Sequence, residues 1–434
     1  MLSGAGLLAH GITALAMPVL SRLYAPADFG LLSVLTSALG ILGVAACLRY
    51  EVAIALPGDP DDGDHLLLLA LAVCTVLSLA ACVVVLLAPG AVLTMLKQPA
   101  LSPFLWMLPL GLWLTGCYAA LQAWHVRQAA FGILARTRVG QSGTSAGLQI
   151  AGGWLAVGPA GLLAGPLWNT GVACAALCRP AWRALGKVRW SRLTQLALDY
   201  RRFPLYSTAE AVANSAALYL PVIVIAAHAG PAEAGFLGMA MYVAQAPMSL
   251  IGNSISQVFL SRAAEEHRQG RLAIFAGEVL DGLVKAGTGP LLALGIVAPP
   301  LCGWIFGPGW DRTGWLVSWM TPWFLMQFLV VPMSMGLHIC GRQRTALALQ
   351  LVGLVVRFGA IWALASLGTG RLSEAYAVTG LLFYGLYLAV VLRVVGVPWR
   401  RLPQALRASW RVTLGWVAVA AAGSLALTLV RGGG

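Results

Sequence analysis

Apolar runs of eighteen or more residues recur along this chain from Leu2 to Val430. Each is long enough to cross about 30 Å of hydrocarbon at about 1.5 Å per helical residue. Only 10% of the 434 residues are charged and 59% are hydrophobic, whereas a soluble domain is about 25% charged, so a water-soluble surface cannot be built from them. In lipid the backbone must satisfy its own hydrogen bonds, and the short-period alternation of a barrel is absent. The chain is therefore expected to be an all-α integral membrane protein.

Thirteen spans can be read, with boundaries good to a few residues: 2–20, 30–48, 66–87, 104–124, 140–157 and 162–178, then 205–227, 235–259, 283–306, 315–340, 346–367, 375–392 and 412–430. The thirteenth stands outside the two sets of six, so the expectation is 12 to 13 transmembrane helices. The first run carries Ala14-Leu15-Ala16, which has the form of a signal-peptidase site. It lacks a basic leader, however, and continues apolar past that point, so it is expected to stay as a helix.

The net charge of +13 is explained by where the charge sits. With the N-terminus cytoplasmic, 21 of the 28 basic residues fall in inner loops, at Arg49, Arg127–Arg138, Arg179–Arg202, Arg262–Arg271, Arg342–Arg344 and Arg393–Arg411. Only Arg22, Lys97, Arg312, Arg371 and Arg431 fall outside, and Lys285 and Arg357 fall within spans. Positive loops inside account for this pattern, so nucleic acid is not expected as a partner. The cluster Asp59, Asp61, Asp62 and Asp64 also lies in an inner loop, but acidic residues contribute little to orientation. The eight cysteines have neither zinc nor disulfide-scaffold spacing, and no metal or cofactor is expected.

Ala25-Pro-Ala-Asp-Phe-Gly-Leu-Leu32, between the first two spans, resembles Gly230-Pro-Ala-Glu-Ala-Gly-Phe-Leu237, between the seventh and eighth. An even number of spans separates the copies, so they point the same way across the membrane. This predicts two parallel-repeat six-helix bundles. The expected division is an N-terminal lobe (1–178), a basic cytoplasmic linker (179–204), a C-terminal lobe (205–396) and a basic loop with an appended helix (397–434). The same residues also make an ordinary turn, in which proline fixes φ and the acid caps the next helix.

Several segments are similar to bacterial O-antigen and polysaccharide flippases, which belong to the multidrug/oligosaccharidyl-lipid/polysaccharide (MOP) exporter superfamily. They are Leu20-Ser-Arg-Leu-Tyr-Ala-Pro-Ala-Asp-Phe-Gly30, Leu48-Arg-Tyr-Glu-Val-Ala-Ile-Ala-Leu-Pro57, Gln245-Ala-Pro-Met-Ser-Leu-Ile-Gly-Asn-Ser-Ile-Ser-Gln-Val-Phe259 and Phe306-Gly-Pro-Gly-Trp310, with Thr321-Pro-Trp-Phe324 and Gly341-Arg-Gln-Arg344. The resemblance covers nearly the whole chain. It departs at the N-terminus, where the cytoplasmic residues usual before the first span are nearly absent, so either that helix begins unanchored or the true start lies upstream. It implies a MOP/MATE-like fold in the bacterial inner membrane. The function it implies is transport of a polyprenyl-pyrophosphate-linked oligosaccharide to the periplasmic leaflet by alternating access, with membrane lipids and polysaccharide-assembly proteins as partners.

Such a cargo needs cations for pyrophosphate and hydrogen-bonding groups for sugars. Arg357 stands mid-span, where a cation must face a wet cavity or a carboxylate partner. Arg49 and Glu51 end the second span; two apart on a continuing helix, they would not share a face. Arg49 either meets pyrophosphate or snorkels to the headgroups. Glu210 caps the seventh span or couples to an ion, with Asn214 one turn along. Lys285 binds substrate or pairs with Asp281, four residues before it. Gln245, Asn253, Ser254 and Gln257 contact sugars or bond between helices. Trp304, Trp310, Trp315, Trp319 and Trp323 anchor at the interface or stack on sugars. Two other transporter readings remain open, a MATE-type drug/cation antiporter and a lipid II flippase. A membrane polysaccharide polymerase or ligase would need a long external loop bearing catalytic polar residues, and the loops placed outside are short, the longest being residues 88–103.

Overall fold

Proline and glycine punctuate this chain, and the helices start where they fall. In the computed structural model, which describes residues 2–185, 190–248 and 252–432, five helices open on proline, at Pro26, Pro60, Pro89, Pro159 and Pro231. Proline suits the first helical position because its missing N–H would have had no partner there. The helices are α1 (Leu2–Leu23), α2 (Pro26–Gly43), α3 (Tyr50–Ala53), α4 (Pro60–Leu87), α5 (Pro89–Leu96), α6 (Met107–Arg127), α7 (Phe131–Trp154), α8 (Pro159–Leu185), α9 (Trp190–Asp199) and α10 (Thr208–Ala229). They continue as α11 (Pro231–Pro247), α12 (Asn253–Arg268), α13 (Leu272–Phe306), α14 (Asp311–Val330), α15 (Gly336–Ile339), α16 (Gln343–Leu354), α17 (Ala360–Ser366), α18 (Leu372–Val395) and α19 (Arg401–Gly432). The described residues contain no strand.

Each of the thirteen expected spans overlaps helix, and nine helical segments among the described residues are long and apolar enough to cross a membrane. Three spans differ from expectation in ways that matter for function. The second ends at Gly43 rather than Leu48, and a series of turns leads into Leu48 and Arg49, which both adopt left-handed backbone at φ 48° and 64°. In the eighth, α11 is described to Pro247 and α12 from Asn253, and helix runs on to Arg268, nine residues past the expected end. The eleventh is interrupted by a π-helical turn over Val355–Gly359 between α16 and α17. Such bulges in α-helices commonly accompany functional sites.

The chain forms two compact units, residues 1–235 and 236–434. In the first, α7 packs on α1 and α8, and α6 on α4 and α8. The basic interval is largely helical: α8 runs on to Leu185, and α9 buries Leu193 and Leu196 against α4. The two Pro-Ala-acid-x-Gly turns meet reciprocally within this unit. A Cβ on Gly30 would lie 1.7 Å from the Pro231 carbonyl oxygen, and one on Gly235 would lie 2.0 Å from that of Pro26. Asp28 also caps α2, accepting from the Ala25 N–H at 3.0 Å, as the turn reading of this motif expects.

In the second unit, α13 is the central element, with α14 on one side and α19 on another. Glycines let the helices close up: Gly314 approaches the Ala298 carbonyl, and Gly380 lies under the Trp323 ring. The appended helix α19 thus has a place along α13. Two of the five tryptophans expected at the interface are core residues instead. Trp310 packs edge-on to Phe236 at 5.8 Å, and Trp323 lies against Phe324 and Tyr376; both are only 2% exposed. Trp304, Trp315 and Trp319 are exposed, as anchors would be.

Candidate functional site

Arg357 occupies the π-helical turn of the second unit, and its side chain is only 1% exposed. Its Nε donates to the Gly353 carbonyl at 3.2 Å, while its guanidinium carbon lies 4.5 Å from the centre of the Phe383 ring and 5.9 Å from that of Tyr384. Gly353 makes the slot possible, since a Cβ there would strike Phe383 at 2.6 Å. Among the described residues no carboxylate comes within ion-pair distance of Arg357, and its Nη1 is buried without a hydrogen-bond partner. A cation at a span centre costs about 2.5–3.5 kcal/mol on insertion scales, whereas stacking on aromatic rings returns about 0.5–2 kcal/mol. Of the two environments expected for Arg357, carboxylate pairing does not occur among the described residues, and the described cavities are lined by other side chains.

The first unit brings Arg49 and Glu51 together, contrary to the spacing argument. Because the helix has already ended, the left-handed backbone at Leu48 and Arg49 turns both side chains the same way, and Arg49 Nη1 lies 3.4 Å from Glu51 Oε1. The contact is long for a charge-assisted hydrogen bond. Arg49 Nε and Glu51 Oε2 are buried without hydrogen-bond partners among the described residues. Burial pushes the Glu51 carboxyl above its ordinary range, with the nearby Arg49 only partly opposing this. Two consecutive non-glycine residues in left-handed geometry store on the order of 1–3 kcal/mol each, so the surroundings must hold them there. Tyr50 donates its hydroxyl to the Ala197 carbonyl at 3.1 Å, and Arg127 donates to the carbonyls of Ile54 and Asp59.

The neighbouring acidic loop is part of the same construction. Arg192 on α9 grips both oxygens of Asp62 at 2.8 Å, and Trp124 donates to Asp64 at 2.7 Å. Sequence spacing gave no sign of these links, because each partner lies on a different helix and at least 60 residues away.

The remaining candidates are dispersed. Glu210 and Asn214 are both exposed, one turn apart on α10. Gln245 lines a cavity of about 200 Å³ with Ser256, Gln327 and Phe328, so Gln327 joins the polar set unforeseen. Gln257 is exposed, and the side chains of Asn253 and Ser254 lie outside the described residues. Lys285 does not pair with Asp281, whose partner is Arg401 on α19 at 2.7 Å. No three His, Cys, Asp or Glu side chains among the described residues are grouped to hold a metal.

Residues 19–313, more than half of the chain, match the profile of a family described as polysaccharide biosynthesis protein. The chain belongs to that family. No curated protein matches the sequence. Among solved structures, the chain resembles the lipid II flippase MurJ in an inward closed conformation. The TM-score is 0.76 at 12% identity, over 99% of this chain and 97% of that one. It also resembles a multidrug resistance MATE family transporter of the MOP superfamily in an inward-facing conformation, with TM-score 0.57, 14% identity, and 91% and 94% coverage. A third match is the eukaryotic MATE transporter AtDTX14, with TM-score 0.54, 16% identity, and 95% and 97% coverage. The chain therefore has the multi-pass fold seen in these transporters.

Proposed function

We propose that the protein is a flippase that moves a polyprenyl-pyrophosphate-linked oligosaccharide, an O-antigen or exopolysaccharide repeat unit, from the cytoplasmic to the periplasmic leaflet of the bacterial inner membrane by alternating access. The observation that carries this reading is Arg357. A mid-span guanidinium with a buried, unpartnered nitrogen and no carboxylate within ion-pair reach among the described residues retains unused capacity for an anion, and a planar guanidinium matches two phosphate oxygens. Family membership supports a polysaccharide cargo, and a lipid-linked one is what the MurJ structure's name attributes to that protein.

In this reading Arg357 receives the pyrophosphate during crossing and Arg49 attracts it at the cytoplasmic mouth. Gln245, Asn253 and Gln257 hydrogen-bond the sugars. Glu51, together with Glu210 and Asn214, supplies the carboxylates and amide through which a proton or cation gradient drives the cycle. No bond is made or broken, so the chemistry asks only for binding and release.

The test is restoration of surface polysaccharide in cells lacking the protein. Arg357→Ala should insert normally yet lower surface polysaccharide by at least tenfold, and Arg357→Lys should restore part of it, because the charge survives without the fork. Full polysaccharide from the Ala variant would remove Arg357 from the path. Proteoliposomes that translocate lipid II or an organic cation while leaving a lipid-linked oligosaccharide in place would overturn the cargo.

A further inference from the structure

A cavity of about 440 Å³ opens between α13 and α19, lined by Asp281, Lys285, Arg401, Gln404 and Ser409 among others. Its volume lies within the range of about 300–1,000 Å³ typical of small-molecule sites. The charge inside is uneven. Arg401 donates from Nε and Nη2 to the Asp281 carboxylate, at 3.2 and 2.7 Å to Oδ2, and the two neutralise one another. Lys285 is exposed and enters no ion pair with a described residue, so the cavity holds one uncompensated ammonium. The Gln404 side chain is exposed beside it, and Ser409 lies buried at its wall.

The depth of this cavity is set by the sequence. The 35-residue α13 would extend about 52 Å, far more than a bilayer's hydrocarbon. Its uncharged stretch, residues 286–306, is 21 residues and about 31 Å, which places Lys285 at the hydrocarbon boundary. On α19 the uncharged stretch begins at residue 412, so Ser409 reaches the same boundary from the other wall. Trp410 and Trp416 are exposed, as interface anchors are, and the exposed Arg407 and Arg411 belong to the same stretch of α19. Only 6% of the apolar window of α19 is buried, so the cavity mouth gives onto the surface that lipid would cover. Loop charge assigns this boundary to the cytoplasmic leaflet, the one facing the basic loops.

We propose that the α13–α19 cavity binds the phosphate of an anionic glycerophospholipid headgroup, held by Lys285 and Gln404, with its acyl chains against α19. Basic pockets between transmembrane helices on the cytoplasmic side take lipid headgroups by this combination of cation and interfacial position. The proposal gives Lys285 to a lipid headgroup rather than to the cargo. The cavity lies within one unit and holds neither Arg49 nor Arg357, so the proposal stands whether or not the flippase reading survives.

The experiment follows the melting temperature of purified full-length protein in a neutral detergent, with added phosphatidylglycerol, phosphatidylcholine or inorganic phosphate. Phosphatidylglycerol should raise Tm in a saturable way, and phosphatidylcholine and inorganic phosphate should not. Lys285→Gln should weaken the apparent affinity for phosphatidylglycerol about fivefold, which is what one interfacial cation contributes. Lys285→Arg, which keeps the charge, should retain it, and Arg268→Gln, which removes an exposed arginine elsewhere, should leave it unchanged. Equal affinity in the wild type and Lys285→Gln would overturn the proposal, as would a weakening in Arg268→Gln equal to that in Lys285→Gln. An equal shift with inorganic phosphate would mean that the cavity takes a free anion, and an equal shift with phosphatidylcholine would mean that acyl chains alone bind; either result overturns it too. If Lys285→Gln fails to fold, Gln404→Leu carries the same expectation, because it removes the headgroup's neutral hydrogen-bond donor at an exposed position and leaves the charge in place.

Discussion

Glu51 shows how much one residue's chemistry depends on where a helix stops. Had α2 continued to Leu48 and beyond, Glu51 and Arg49 would have faced different directions, each with its own solvent. Instead the left-handed turn folds them onto one another in a site where Glu51 is mostly shielded and its carboxyl is harder to ionise than in water. The sign follows from linkage: a carboxyl with a raised folded-state pKa binds protons more readily in the native state, so its ionisation removes stability as pH rises from the ordinary glutamate range through the raised value. Glu51→Gln cannot ionise and should escape that loss. Melting temperatures of wild type and Glu51→Gln, compared between pH 4.5 and 7.5, should therefore diverge in the variant's favour as pH rises. Parallel curves would show that Glu51 ionises freely. The pair was invisible in the sequence because side-chain facing was argued from unbroken helical geometry, and nothing in Cys47-Leu-Arg-Tyr marks a left-handed turn: neither residue that adopts it is glycine or asparagine. The expected Lys285–Asp281 pair fails for a related reason. The i,i+4 spacing to Asp281 is correct for a pair, but a helix 120 residues later presents Arg401 to the same carboxylate with a better fork.

Helices themselves were legible, since an uncharged stretch of about twenty residues leaves the backbone few alternatives in lipid. Their interruptions were not. The π-helical turn at Val355–Gly359 lies in a mostly apolar sequence that carries Arg357 and no proline, and Gly353 and Arg357 pack there against Phe383. The repeated Pro-Ala-acid-x-Gly motif was legible as a motif, and the structure adds the reason for its glycines: each lies where a methyl group would overlap the opposing proline's carbonyl oxygen. Backbone cannot yield there as a side-chain tip could, so Gly30→Ala must push α2 away from Pro231, at about 1–3 kcal/mol for an overpacked contact. Gly143 is a useful control, because a Cβ there meets nothing within 4 Å and alanine is the better helix former by about 1 kcal/mol. In detergent, Gly30→Ala should lower Tm while Gly143→Ala leaves it level or raises it. A Gly30→Ala protein as stable as wild type would mean that the two turns do not touch.

For the whole molecule, orientation is the property on which every leaflet assignment depends, and it rests on loop arginines rather than on helix boundaries. The boundaries moved by several residues at the second, eighth and eleventh spans, yet no loop that carries three or more basic residues changed its place between consecutive spans. The positive-inside preference acts on those loops within about 15–20 residues of the span ends, so a 21 to 5 division of loop cations should outweigh the ambiguity of any single helix. Two exposed positions on opposite sides of this scheme are Gln269, between α12 and α13, and Thr369, between α17 and α18. With the eight native cysteines replaced, Thr369→Cys should react with a membrane-impermeant maleimide in intact spheroplasts. Gln269→Cys should react only once the membrane is opened. The reverse pattern would invert the topology and place the Arg49 mouth and the α13–α19 cavity on the periplasmic side. Labelling of both positions in sealed cells would instead show that an odd number of the intervening helices fails to cross, contradicting the reading of α13, the paired α14 and α15, and the interrupted α16–α17 as three separate spans.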